Sequence, residues 1–116
     1  MRLLSQGKRR RVLIYGAGDG GELILRELHN NLDWNYNPVG FIDDDPLKKD
    51  KVIRGLPVFG GNGSLLKACK ENEIQEILIA TGKIPNLKIR EIRELCNNAD
   101  ISLKRAFLKI EPIDFE

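Results

Sequence analysis

Histidine and cysteine are scarce here: the 116 residues contain one histidine, His29, and two cysteines, Cys69 and Cys96. One histidine excludes a histidine-rich metal cluster, and two distant cysteines form neither a CxxC redox pair nor a zinc quartet. Their apolar spacing makes them small buried hydrophobes of a reducing compartment. Charge of one sign is lacking too, because 19 Lys and Arg against 17 Asp and Glu leave only +2. That is too little for the phosphate attraction of a dedicated nucleic-acid binder, so no nucleic-acid partner is expected. No run approaches the roughly 18–20 unbroken apolar residues of a membrane helix. The basic start lacks the separate apolar stretch and small-residue cleavage site of a signal peptide.

What is present is the composition of an ordinary folded domain, 41% hydrophobic and 31% charged, in a length that suits one core. Residues 1–9 read as a basic tail, residues 10–106 as the domain and residues 107–116 as a linker. From 12 to 15 an apolar run rich in β-formers leads into Gly16, Ala17, Gly18, Asp19, Gly20 and Gly21. Ile24, Leu25, Leu28 and Leu32 then recur at three and four residues, the stripe of a helix with one face on a sheet. Further strands are expected at 39–42, 56–59, 76–80 and 101–106. Two more helices fit between them: one capped by Ser64 with Leu65, Leu66 and Cys69 inward, and one with Pro85 in its first turn and Ile89, Ile92 and Cys96 inward. Trp34 and Tyr36 read as packing residues of a linker, and His29 as partly exposed. Alternation of strands and helices predicts an α/β, Rossmann-like, three-layer domain on a five-stranded, mainly parallel sheet. The charged stretch 47–55, with no helix in it, must carry the crossing from the second strand to the third.

The glycine spacing alone is weak, since 11 glycines will sometimes fall into it by chance. Its setting is what counts, for a loop that ends a strand and opens a helix points backbone N–H groups and the positive helix end at an anion. Gly16 permits the tight turn, Gly18 lets a pyrophosphate approach the backbone, and Gly21 allows close packing of helix on strand. Asp43 follows at about the expected separation of roughly 20 residues and is the candidate for the adenosine ribose hydroxyls, with Asp44 as the alternate. A carboxylate there repels a 2′-phosphate, so NAD is preferred over NADP. Thr81 and Lys83 follow the fourth expected strand at the carboxyl edge, where Thr81 could bond a ribose or ring group and Lys83 a phosphate; for both, a plain surface turn is the better reading.

The runs VLIYGAGDGGELILREL, PVGFIDDDPLKK and IRGLPVFG resemble the nucleotide-binding domain of nucleoside-diphosphate-sugar epimerases and dehydratases of polysaccharide biosynthesis. Its fold is similar to CoA-binding Rossmann-like domains. The likeness covers roughly residues 10–106 and departs at Asp50, where the family usually has a turn glycine, and at Gly20, where it often has alanine. It implies a longer parent, anchored in the inner or plasma membrane, with this domain on the cytoplasmic side and a catalytic dehydrogenase-like domain beyond it. Such a catalytic domain needs a Tyr-x-x-x-Lys pair. Tyr15 and Tyr36 are followed four residues on by Asp19 and Gly40, so no catalytic residue is expected here. The alternative is a non-catalytic sensor of CoA or a dinucleotide, in which Lys48 or Lys49 would meet the CoA 3′-phosphate. Self-association into a homo-oligomer stays open.

Overall fold

The apolar run 12–15 lies on β1 (Arg10–Tyr15), which passes through the middle of the sheet with Val12, Leu13, Ile14 and Tyr15 all buried. The computed structural model describes residues 9–61 and 63–114, so most of the expected basic tail lies outside the described residues. β1 leads into α1 (Asp19–Asn30), a 3-10 turn (Leu32–Trp34) and β2 (Tyr36–Asp43). Then come β3 (Val52–Ile53), β4 (Leu56–Gly60), α2 (Leu65–Glu71), β5 (Glu76–Ile79), α3 (Asn86–Asn98) and β6 (Ser102–Arg105). Residues 106–114 have no regular secondary structure.

The strand order is β3-β4-β2-β1-β5-β6, parallel throughout except for the antiparallel pair β3 and β4. The sheet therefore has six strands, not five, and the extra one is the two-residue β3 inside the charged stretch. Alternate side chains of β1 enter opposite cores, as the pleat requires. Val12 and Ile14 meet Ile24, Leu25 and Leu28 of α1, while Leu13 and Tyr15 meet Leu65 of α2 and Ile92 and Cys96 of α3. Burying each large aliphatic side chain contributes about 1.5–3 kcal/mol, which explains why these apolar runs fix the layers.

Several local expectations shift. Leu32 is not on the helix stripe: α1 stops at Asn30, where the Asn31 side chain donates to the Glu27 carbonyl, and Leu32 is exposed in the following turn. Ser64 does not cap α2 with its side chain; its Oγ donates instead to the Gly60 carbonyl at 2.9 Å. Leu66 is exposed, and Pro85 stands one position earlier than expected, as the N-cap of α3. Trp34 is half exposed beside an apolar groove shared with Leu28, Phe107 and Leu108, and His29 is exposed. Both cysteines are buried free thiols in the core under α2 and α3.

Tyr36 is a strand residue, not a linker residue. Its hydroxyl donates to Glu76, the one buried charged side chain among the described residues. Arg10 Nε at 3.2 Å and Lys104 Nζ at 3.3 Å complete the surroundings of that carboxylate at the amino edge of the sheet. Burial, and next the bond to Glu76, push the Tyr36 hydroxyl up from its ordinary pKa; the charge of Glu76 pushes the Lys104 ammonium up.

Candidate nucleotide-binding site

Strand order reverses beside β1, because the chain continues from β1 to β2 on one side and reaches β5 on the other. In open parallel sheets this switch point opens a crevice at the carboxyl ends of the strands. The glycine loop after β1 and the loop after β5 form its two walls. Between them lies a cleft of about 560 Å³ lined by Gly16, Gly18, Asp19, Gly20, Gly21, Asp43, Asp44, Thr81 and Lys83. The fold thus brings all nine candidate residues to one place. Tyr15, Lys48, Gly82, Ile84 and Pro85 line it as well.

The loop glycines divide by what a side chain would meet. Gly16 has φ of +114°, a backbone state that other residues rarely adopt. A β-carbon on Gly21 would lie 1.8 Å from the Gly16 carbonyl oxygen, and one on Gly20 would lie 2.6 Å from that of Ala80. Packing therefore demands glycine at both, which accounts for Gly20 where the resembling family often has alanine. On Gly18 the same atom would meet nothing nearer than Lys48 Nζ, at 3.5 Å. The fold does not require glycine at 18, and its bare backbone faces the cleft. Gly18 is also the N-cap of α1 and supplies no side-chain cap, so first-turn N–H groups are left for an anion.

Adjacent aspartates at the end of β2 serve different surroundings. Asp43 accepts the Ala17 N–H on Oδ2 and the Asp45 N–H on Oδ1, each at 2.9 Å. An ionised carboxylate has about four acceptor positions, so two remain for hydroxyl donors from the cleft. Asp44 turns the other way. It accepts the hydroxyl of Tyr15, lies 3.6 Å from Lys88 Nζ, and packs against Gly61, where a β-carbon would come within 2.0 Å of Oδ1. Burial first, and then Asp44, push the Tyr15 hydroxyl far up from its ordinary pKa.

In the opposite wall, Thr81 packs on Gly16, and its Oγ1 accepts the Lys83 N–H at 3.2 Å. Lys83 is exposed on the lip. Lys48 comes from the charged stretch, which successive turns fold back over the cleft. Asp45 accepts the Leu47 N–H on its side chain and the Lys48 N–H on its carbonyl, both at 2.9 Å. Asp50 takes the left-handed state at φ +67°, so it performs the turn for which the family usually uses glycine. No group of three or more His, Cys, Asp or Glu able to hold a metal occurs among the described residues, and no helix among them is long and apolar enough to cross a membrane.

Sheet order, glycine loop and cleft define a Rossmann-like domain with a nucleotide-type crevice at the switch point. A family model described as a CoA-binding domain matches residues 1–103, and the chain belongs to that family. It is 41% identical over 97 residues to the probable polysaccharide biosynthesis protein EpsC of Bacillus subtilis (strain 168), covering 81% of this chain and 16% of that protein. The chain thus spans about one sixth of that relative's length. A solved UDP-D-quinovosamine 4-dehydrogenase from Vibrio fischeri is similar with a TM-score of 0.73 at 25% identity, over 86% of this chain and 80% of that one. RSP, a Rex-family repressor solved with β-NADH, shares the fold at TM-score 0.69 and 21% identity, over 99% of this chain and 52% of its own.

Proposed function

We propose that this chain is the NAD-binding domain of a nucleoside-diphosphate-sugar epimerase or dehydratase of polysaccharide biosynthesis, and that another domain of the parent performs the chemistry. Gly18 carries the reading: the glycine whose side-chain space is open is the one that faces the uncapped start of α1, as diphosphate recognition requires. Gly16, Gly20 and Gly21 shape that loop, and Asp19 stands at its helical start. The remaining acceptor positions of Asp43 suit the adenosine ribose hydroxyls, with Asp44 held off by Tyr15 and Lys88. Thr81 and Lys83 line the wall that the second half of a dinucleotide would follow. Domain limits of 10–106, a linker after them, and a cytoplasmic position under a membrane-anchored parent belong to the same proposal. The small share of EpsC that the chain matches supports a longer parent.

A CoA- or dinucleotide-sensing module is the second reading, favoured by the family description and by a lysine in the cleft. Thermal-shift titration with NAD, NADP and CoA separates NAD binding from CoA sensing, because stabilisation follows RT ln(1 + [L]/Kd). NAD should give the largest shift. A larger shift with CoA supports the sensor, and no shift with any of them ends both readings.

A further inference from the structure

The geometry points to Lys48 as the residue that selects a diphosphate in this cleft, closing over it from the β2–β3 connection, an inference that rests on the nucleotide-binding reading above. The cleft is otherwise poor in positive charge for such a ligand. Asp19, Asp43 and Asp44 put three carboxylates on its lining, against the ammonium groups of Lys48 and Lys83. Asp44 is neutralised in part by Lys88, but Asp19 and Asp43 flank the glycine loop directly. First-turn N–H groups bring only a partial positive charge, equivalent to roughly half an elementary charge. A full cation close by adds to that attraction for a ligand with two negative phosphates.

Lys48 is the cation in the right place. Its Nζ stands 3.5 Å from where a Gly18 β-carbon would be, directly beyond the bare backbone that a diphosphate must approach. Among the described residues its ammonium makes no hydrogen bond or ion pair, so its three donors remain for the cleft. Its backbone is held at the same time. Lys48 N–H bonds the Asp45 carbonyl, the Lys48 carbonyl accepts the Lys51 N–H at 3.2 Å, and Asp50 and Lys51 exchange bonds with Val58 of β4 at 3.0 and 2.9 Å. Since Asp43 bonds both Ala17 and Asp45, one carboxylate fixes the glycine loop relative to the turn that presents the lysine. The charged stretch between β2 and β4 is thereby a phosphate lid support, beyond its service as a crossing.

The test is calorimetric titration of the full chain with NAD, ADP, adenosine, NADP and CoA, for the wild type and for Lys48→Gln, Lys48→Arg and Lys51→Gln. A charge-assisted bond lost from the diphosphate should weaken NAD and ADP by about ten- to hundredfold in Lys48→Gln. Adenosine should change by less than about twofold, Lys48→Arg should keep most of the affinity, and Lys51→Gln should match the wild type. Unchanged ADP and NAD affinity in a folded Lys48→Gln protein overturns the assignment and leaves the nucleotide-binding reading standing. Equal weakening of adenosine also overturns it, as does a loss seen only with NADP and CoA, which would put Lys48 on the ribose phosphate. Wild-type protein that binds none of the nucleotides removes the reading and the assignment together.

Discussion

Asp43 holds the backbone N–H of Ala17 on its carboxylate at 2.9 Å, tying the end of β2 to the glycine loop that follows β1. Its other oxygen holds Asp45, so the residue proposed to bind ribose also ties the glycine-loop wall to the turn that presents Lys48.

Asp43→Ala should therefore lose stability as well as affinity. Two backbone donors lose their acceptor, at a cost of about 1–3 kcal/mol in urea unfolding. Asp43→Asn keeps one acceptor oxygen, should cost less, and should narrow the preference for NAD over NADP by removing the charge that repels a 2′-phosphate. A wild-type protein that binds NADP more tightly than NAD contradicts the assigned role.

Two glycines of one loop should respond in opposite ways. A β-carbon on Gly18 meets only the flexible end of Lys48, so Gly18→Val should fold, but it should abolish NAD binding in calorimetry. Gly21→Ala places a β-carbon 1.8 Å from the Gly16 carbonyl and should lose about 1–3 kcal/mol or more through overpacking. Full NAD affinity in folded Gly18→Val would reduce the loop to a turn.

Raising the pH should destabilise the protein through its thiols. Burial, and then the neighbouring Cys96, push Cys69 up to about 12; burial pushes Cys96 up to about 11. Unfolded cysteines release protons near about 8.5, so above that pH the native state holds protons the unfolded state gives up. Stability is full below this value and falls as pH rises toward the folded pKa values, by about 1.4 kcal/mol per pH unit for each thiol. Tyr15 and Tyr36, both raised chiefly by burial, add to the fall above about pH 10. Urea unfolding between about pH 8 and 10.5 measures the slope, and a flat profile would refute it.

Glu76 should matter more than its hydroxyl partner. Glu76→Ala leaves the Tyr36 hydroxyl without its acceptor and separates Arg10 and Lys104 from their shared carboxylate. Both cations reach water, so the cost should be about 1–3 kcal/mol, below that of breaking a fully buried pair. Tyr36→Phe keeps both cations on Glu76 and should cost less. Circular-dichroism melts of the two variants order them, and a larger loss in Tyr36→Phe would reverse the argument.

The sequence by itself determined the layers and most of the cleft. Uninterrupted apolar runs such as 12–15 and 77–80 have few ways to be buried except inside a covered parallel sheet, and a glycine loop between strand and helix has its anion-facing geometry built into local backbone chemistry. Features that depend on partners distant in the chain were left to the tertiary structure. Tyr36 reads as a linker residue until the sheet sets it against Glu76, and β3, two residues inside a charged stretch, is too short to show a strand period. Gly20 looks like a neutral departure until the end of β5 brings the Ala80 carbonyl against it. Lys48 is one of several lysines in a charged stretch, and its local sequence marks only a turn. Its position over Gly18 follows from Asp43 bonding two separate loops at once and from β4 holding Asp50 and Lys51, long-range constraints that no periodicity records.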